Sequence, residues 1–142
     1  MDKLKVLFVC IHNSARSQMA EAFLNHIGQS RFLAESAGLE PGTLNPLVVE
    51  SMREAGIDIS ANQTKTVTRF LEQEGEFDFV ITVCDEASAE TCPVFPGKAK
   101  KLHWSFQDPS QLRGSKEEKM ANIRIVRDQI RTRIEQFVAT KN

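Results

Sequence analysis

The sequence predicts an α/β fold: a single three-layer domain over residues 1–142, with a four-stranded parallel sheet and helices on both faces. Three observations lead there. Apolar runs of strand length alternate with stretches of helical periodicity. Two of the runs, Lys5–Val9 and Asp78–Val83, are apolar over most of their length, as strands covered on both faces are. With 142 residues, 41% of them hydrophobic, the chain is long enough for one good core, and no linker, repeat or low-complexity stretch interrupts it.

Lys5–Val9 is the first strand. A helix then runs from about Ser17 to Ile27, with Met19, Phe23 and Ile27 on one face. Phe32–Ser36 is the second strand, closed by Ala37-Gly38. Asn45-Pro46 is a cap-then-proline helix start, and Val48, Val49, Met52 and Ala55 continue the helix until Gly56 stops it. Val67, Phe70 and Leu71 have helical spacing within Thr66–Gln73. Asp78–Val83 and Ala99–Trp104 are the third and fourth strands. The last helix, Lys116–Val138, places Met120, Ile123, Val126, Ile130, Ile134 and Phe137 along one stripe.

The first strand ends in Cys10-Ile11-His12-Asn13-Ser14-Ala15-Arg16-Ser17, and helical periodicity follows at once. A bare Cys-x5-Arg spacing recurs by chance. Between a strand and a helix, with a serine after the arginine, it describes an anion trap with a nucleophile inside. The N–H groups of Ile11, His12, Asn13, Ser14, Ala15 and Arg16 can turn inward around an oxyanion, and the helix adds its positive end. The planar guanidinium of Arg16 offers two prongs to a tetrahedral oxyanion. The same field favours the nucleophilic thiolate at Cys10. The loop alone does not say which oxyanion.

The formal net charge of −1 gives no reason to invoke nucleic acid or an anionic membrane as partner. The apolar runs are too short for a membrane span or a signal sequence, so a cytoplasmic location is expected. Three cysteines in a reducing compartment argue against a static disulfide framework. Cys84 directly follows the third strand, so it shares a rim with Cys10 if the two strands are neighbours. Cys92 comes eight residues later. A straight helix would hold that pair about 12 Å apart, whereas a disulfide needs α-carbons within about 7 Å. A Cys84–Cys92 bond therefore requires the segment to loop out. Either thiol alone could be inert, but beside a nucleophilic cysteine they read as partners in thiol–disulfide exchange. No Cys-x2-Cys pair occurs, and His12, His26 and His103 lack ligand spacing, so neither metal nor other cofactor is expected.

A thiolate that displaces an oxygen needs a proton donor for the leaving group. Asp108 follows the fourth strand, and Pro109 holds it extended or in a turn. Taken alone, Asp-Pro is more commonly an ordinary turn.

These residues together resemble a known family over nearly the whole chain. Cys10–Ser17 with Gln18-Met19-Ala20-Glu21, then Ser36-Ala37-Gly38, Cys84, Cys92-Pro93, His103-Trp104 and Asp108-Pro109 are similar to the thioredoxin-coupled arsenate reductases, which share the low-molecular-weight tyrosine phosphatase fold. The phosphatases themselves usually carry a second cysteine where Ala15 stands, a proline at Gln18 and a tyrosine at Ser110. This chain has no tyrosine, which suits a small inorganic oxyanion better than phosphotyrosine.

The resemblance implies that Cys10 attacks arsenate held by Arg16 and the loop, that Ser17 stabilises its thiolate, and that Asp108 protonates the departing hydroxyl. It further implies a transient Cys10–Cys84 disulfide, its transfer to Cys84–Cys92, and thioredoxin as the reductant. Relatives can bind potassium through residues matching Asn13, Glu21, Ser36 and an aspartate. Lys65 stands in for that aspartate, where its ammonium opposes a cation and can neutralise Glu21, unless it is simply a surface lysine. Two other functions fit parts of the sequence. A phosphatase acting on phosphotyrosine or a small phosphoester needs only Cys10, Arg16 and Asp108. A non-catalytic module could hold oxyanion or arsenite. The Cys84/Cys92 pair favours the reductase over the first, and Asp108 argues against the second.

Overall fold

The computed structural model describes residues 3–40, 42–70, 77–84, 99–109 and 112–140. Strands β1 (Leu4–Cys10), β2 (Phe32–Gly38), β3 (Phe79–Thr82) and β4 (Lys100–His103) form one parallel sheet in the order β2-β1-β3-β4. The α-helices are α1 (Arg16–Ile27), α2 (Pro46–Glu54) and α3 (Lys116–Thr140). From β1 the chain winds to one side for β2 and then to the other for β3 and β4. The carboxyl rim above β1 and β3 is where the winding reverses, which is where parallel sheets of this kind leave a ligand crevice. Cys10 closes β1 at that rim.

Alternation along β1 divides the core in two. Val6, Phe8 and Cys10 join a cluster built with α1, α2 and α3. Leu7 and Val9 join Ala37, Phe70, Phe77 and Val80 on the opposite face, where, among the described residues, a 3₁₀ turn over 67–70 supplies helical cover. All six residues of the predicted α3 stripe are buried. Trp104, just past β4, packs on Phe8 and Phe137 with ring centroids 5.8 and 5.5 Å away. The segment leading to Asp108 is thereby anchored to the core.

The helix ends follow from local chemistry. Asn45 Oδ1 accepts the Leu47 N–H ahead of Pro46, which fills a position where no N–H is needed. Gly56, at φ +86, closes α2 while its N–H and that of Ile57 bond back to Arg53 and Met52. Ser115 and Glu118 cap α3 reciprocally.

The expected helix over Thr66–Gln73 is not α-helical in its described part. Thr66 bridges Gly38 as a strand-like residue, and only 67–70 turn, as a 3₁₀ helix. The tie from Gly38 N–H to the Lys65 carbonyl holds this stretch against β2, and tertiary pairing overrides the local spacing. Residues 71–73 lie outside the described residues. The second strand runs on to Gly38, since β1 stays paired with it as far as Cys10. No helix among the described residues is long and apolar enough to cross a membrane.

Candidate active site

The loop after β1 is held by its carbonyls. Those of Cys10, Ile11 and Ser14 accept hydrogen bonds from the N–H groups of Leu39, Glu40 and Asn45 (3.0, 2.8 and 3.0 Å). In a planar trans peptide the next N–H points the opposite way, so those of Ile11, His12 and Ala15 turn away from this outer contact. The Asn13 N–H reaches Cys10 Sγ at 3.2 Å. The loop can pack this closely only because β2 ends in glycine. A Cβ at Gly38 would stand 2.7 Å from both Asn13 N and the His12 carbonyl carbon. Ala15 provides no side-chain cap for α1, so the helix starts directly out of the loop and places Ser17 in its first turn.

Cys10 is 2% exposed, and its sulfur lies 2.9 Å from Ser17 Oγ. Asn13 Nδ2 donates to that same Oγ at 2.7 Å, which leaves the Ser17 proton to point at the sulfur. The two contacts on Sγ, from the Asn13 N–H and the Ser17 hydroxyl, stabilise negative charge there. Asn13 adopts φ +57, a left-handed conformation that asparagine tolerates better than most residues. Its Oδ1 accepts from Gln18 Nε2 and from the Lys65 N–H, both at 3.0 Å.

Arg16 is buried at 2% exposure. One of its terminal nitrogens donates to the Phe106 carbonyl at 3.1 Å, and the other lies 3.5 Å from Asp108 Oδ2. Trp104 and Phe106 are buried while Ser105 and Gln107 are exposed, an alternation that carries the chain along the core edge and delivers Asp108 to the guanidinium. A carboxyl group, a guanidinium and a thiol thus converge on one loop.

Beside the loop, Glu21 Oε1 accepts from Ser36 Oγ at 3.0 Å and from Lys65 Nζ at 3.2 Å. Burial pushes the Glu21 carboxyl above the usual carboxylate range, against the pull of the Lys65 charge and of the Lys65 and Ser36 hydrogen bonds. Lys65 also lies 5.8 Å from the centre of the Phe70 ring. A cation bound beside Glu21 would meet the Lys65 ammonium, already 3.2 Å from Glu21 Oε1, so the residues present do not favour one there. Among the described residues, no group of three or more His, Cys, Asp or Glu is placed to hold a metal ion.

Cys84 is fully buried, as Cys10 nearly is. The β1–β3 register pairs Val9 with Thr82, and the Val83 N–H bonds to the Val9 carbonyl at 2.9 Å. Cys84 follows two residues after Thr82, past the end of β3, and so lies at the same carboxyl rim of the sheet as Cys10. Cys92 and Ser110 lie outside the described residues. The His12 side chain is directed to Glu40, at 3.3 Å on the exposed side of the loop. Sequence reasoning missed Gln18, Asn62, Gln63 and the Phe106 carbonyl as parts of the site. A glutamine in the first turn of a helix, directly after the loop serine, was the one visible signal.

Residues 5–142 match the family described as low molecular weight phosphotyrosine protein phosphatase. The chain belongs to that family. Within the phosphatase family it is similar to an arsenate reductase of Shouchella clausii, with 42% identity over 140 residues and 99% of each chain covered. A solved arsenate reductase in its phosphate-binding state superimposes with a TM-score of 0.78 at 30% identity, over 96% of this chain and 98% of the other. A thioredoxin-dependent arsenate reductase of Corynebacterium glutamicum superimposes with a TM-score of 0.66, also at 30% identity, over 99% of this chain and 64% of that one.

Proposed function

We propose that this protein reduces arsenate to arsenite, with Cys10, Cys84 and Cys92 as a thiol relay and thioredoxin as the reductant. The observation that supports the relay is the register that sets a second buried thiol, Cys84, on the rim beside Cys10. A hydrolase needs no such thiol.

Cys10 Sγ attacks arsenic in an arsenate held by Arg16 and the loop N–H groups from Ile11 to Arg16. An S–As bond forms, and a hydroxide leaves as water on taking a proton from Asp108. Cys84 then attacks Cys10 Sγ. The S–As electron pair passes to arsenic, which departs as arsenite, and a Cys10–Cys84 disulfide remains. Cys92 attacks Cys84, Cys10 is released as thiolate, and the oxidised bond moves to Cys84–Cys92. A thioredoxin dithiol supplies the two electrons that reset the enzyme.

The test is a coupled assay containing thioredoxin, thioredoxin reductase, NADPH and arsenate, run beside para-nitrophenyl phosphate hydrolysis. NADPH consumption that needs both arsenate and thioredoxin is expected. Hydrolysis of the phosphoester with no arsenate-dependent oxidation would leave a phosphatase. That second reading draws on the Cys10, Arg16 and Asp108 constellation, which suffices for slow phosphoester cleavage. A binding-only module gains nothing from a carboxylate set against its own arginine.

Two further outcomes are expected. Asp108→Asn lowers the chemical step by roughly 10²–10⁴-fold, the range for losing a general acid. Phosphate affinity changes little, because Arg16 and the backbone provide it, and an unaltered rate would place the proton donor elsewhere. Exchanging potassium for sodium at fixed ionic strength leaves rate and stability unchanged, while Lys65→Asp creates a potassium response by adding an oxygen ligand beside Asn13, Glu21 and Ser36. Strong potassium dependence of the unmodified protein would show that Lys65 does not serve as the internal cation.

A further inference from the structure

Gln18 is a fully buried polar side chain that the reaction above does not use. Burying a glutamine is costly unless its amide is satisfied, and here it makes three hydrogen bonds. Nε2 donates to the Gln63 carbonyl at 3.1 Å and to Asn13 Oδ1 at 3.0 Å, and Oε1 accepts from Asn62 Nδ2 at 3.1 Å.

Two main-chain groups fix the sense of these amides. The Gln63 carbonyl can only accept, so the nitrogen of Gln18 must face it. The Lys65 N–H can only donate, so the oxygen of Asn13 must face it. With Oδ1 committed to Gln18 and Lys65, Asn13 Nδ2 is left facing Ser17, 2.7 Å from its Oγ. Were the Asn13 amide reversed, its oxygen would compete with the sulfur for the Ser17 proton.

We propose that Gln18 is a positioning residue for the nucleophile: it locks the Asn13 carboxamide with Nδ2 toward Ser17, and so directs the Ser17 proton to Cys10 Sγ. The polarity of the backbone at residues 63–65 is in this way passed through two amides and a hydroxyl to the reacting sulfur. Gln18 touches neither the sulfur nor the oxyanion and acts only through Asn13. The inference rests on Cys10 being the nucleophile proposed above. Its test reads thiol alkylation, so it stands or fails separately from arsenate turnover.

The experiment measures iodoacetamide alkylation of Cys10 against pH, followed on the Cys10 peptide by mass. The set comprises the unmodified protein, Gln18→Glu, Gln18→Met, Ser17→Ala, and each Gln18 change combined with Ser17→Ala. An ionised Glu at position 18 offers only acceptors, so it sets a carboxylate oxygen against Asn13 Oδ1 in place of a donor and leaves the Lys65 N–H to hold the amide against that repulsion. Alkylation near neutral pH then slows by about tenfold, the scale of a lost hydrogen bond to a charged group, and the rate–pH curve moves to higher pH. Gln18→Met removes the donor without opposing Asn13 Oδ1 and keeps the side-chain volume, so it slows alkylation by about threefold, the lower end of a hydrogen bond's net worth. In the Ser17→Ala background neither change slows the reaction further. A natively folded Gln18 variant that alkylates at the unmodified rate would overturn the proposal, as would slowing of equal size without the Ser17 hydroxyl. If Gln18→Glu does not fold, the methionine pair decides the matter alone.

Discussion

Cys10→Ser abolishes arsenate reduction and phosphoester hydrolysis together. The serine oxygen would occupy nearly the place of a sulfur that receives the Asn13 N–H and the Ser17 hydroxyl. These contacts stabilise a thiolate, but they are too weak to ionise an alcohol to a useful extent. The loss should reach several orders of magnitude in both assays, because no bond to arsenic or phosphorus forms without the nucleophile. Oxyanion binding survives, since Arg16 and the loop amides are untouched, and phosphate titration of the variant checks this. The change is one atom at a site 2% exposed, so the fold should persist. Substantial arsenate turnover by this variant would overturn the mechanism.

The second large effect separates the other two thiols from the first. Cys84→Ser should form the arsenate adduct on Cys10 and stop there, because nothing attacks Cys10 Sγ to expel arsenite. Cys92→Ser should release about one equivalent of arsenite and stall as the Cys10–Cys84 disulfide, detected by intact mass as the loss of two hydrogens. Both variants should keep para-nitrophenyl phosphate hydrolysis, which needs only Cys10, Arg16 and Asp108. If both retained normal thioredoxin-dependent turnover, the relay would be wrong and phosphoester hydrolysis would become the leading function.

Much of the fold was legible in the residues alone, for a local reason. Strand or helix character shows in the spacing of neighbouring apolar residues, so β1, β3 and the α3 stripe from Met120 to Phe137 could be read directly. The Cys10–Ser17 loop could be read too, because its chemistry lies within eight consecutive residues at one strand end. The stretch over Thr66–Gln73 misled because its spacing is helical, whereas the contacts of Lys65 and Thr66 with β2 decide its course.

By itself the sequence determined most of the element types and singled out Cys10 with Arg16, and the three thiols, as candidates for the chemistry. Only the tertiary structure decided which strands are neighbours. The sequence could place Cys84 on the same rim as Cys10 only on condition that their strands pair, and the Val9–Thr82 register meets that condition. Tertiary structure also decided that Asp108 meets Arg16, that Lys65 meets Glu21, and that Gln18 holds Asn13 from within the core. Contacts such as Arg16 with Phe106, 90 residues apart, leave no spacing to read. Strand order and register are chosen by the packing of whole faces, and the polar contacts across them follow from that choice rather than from any local pattern.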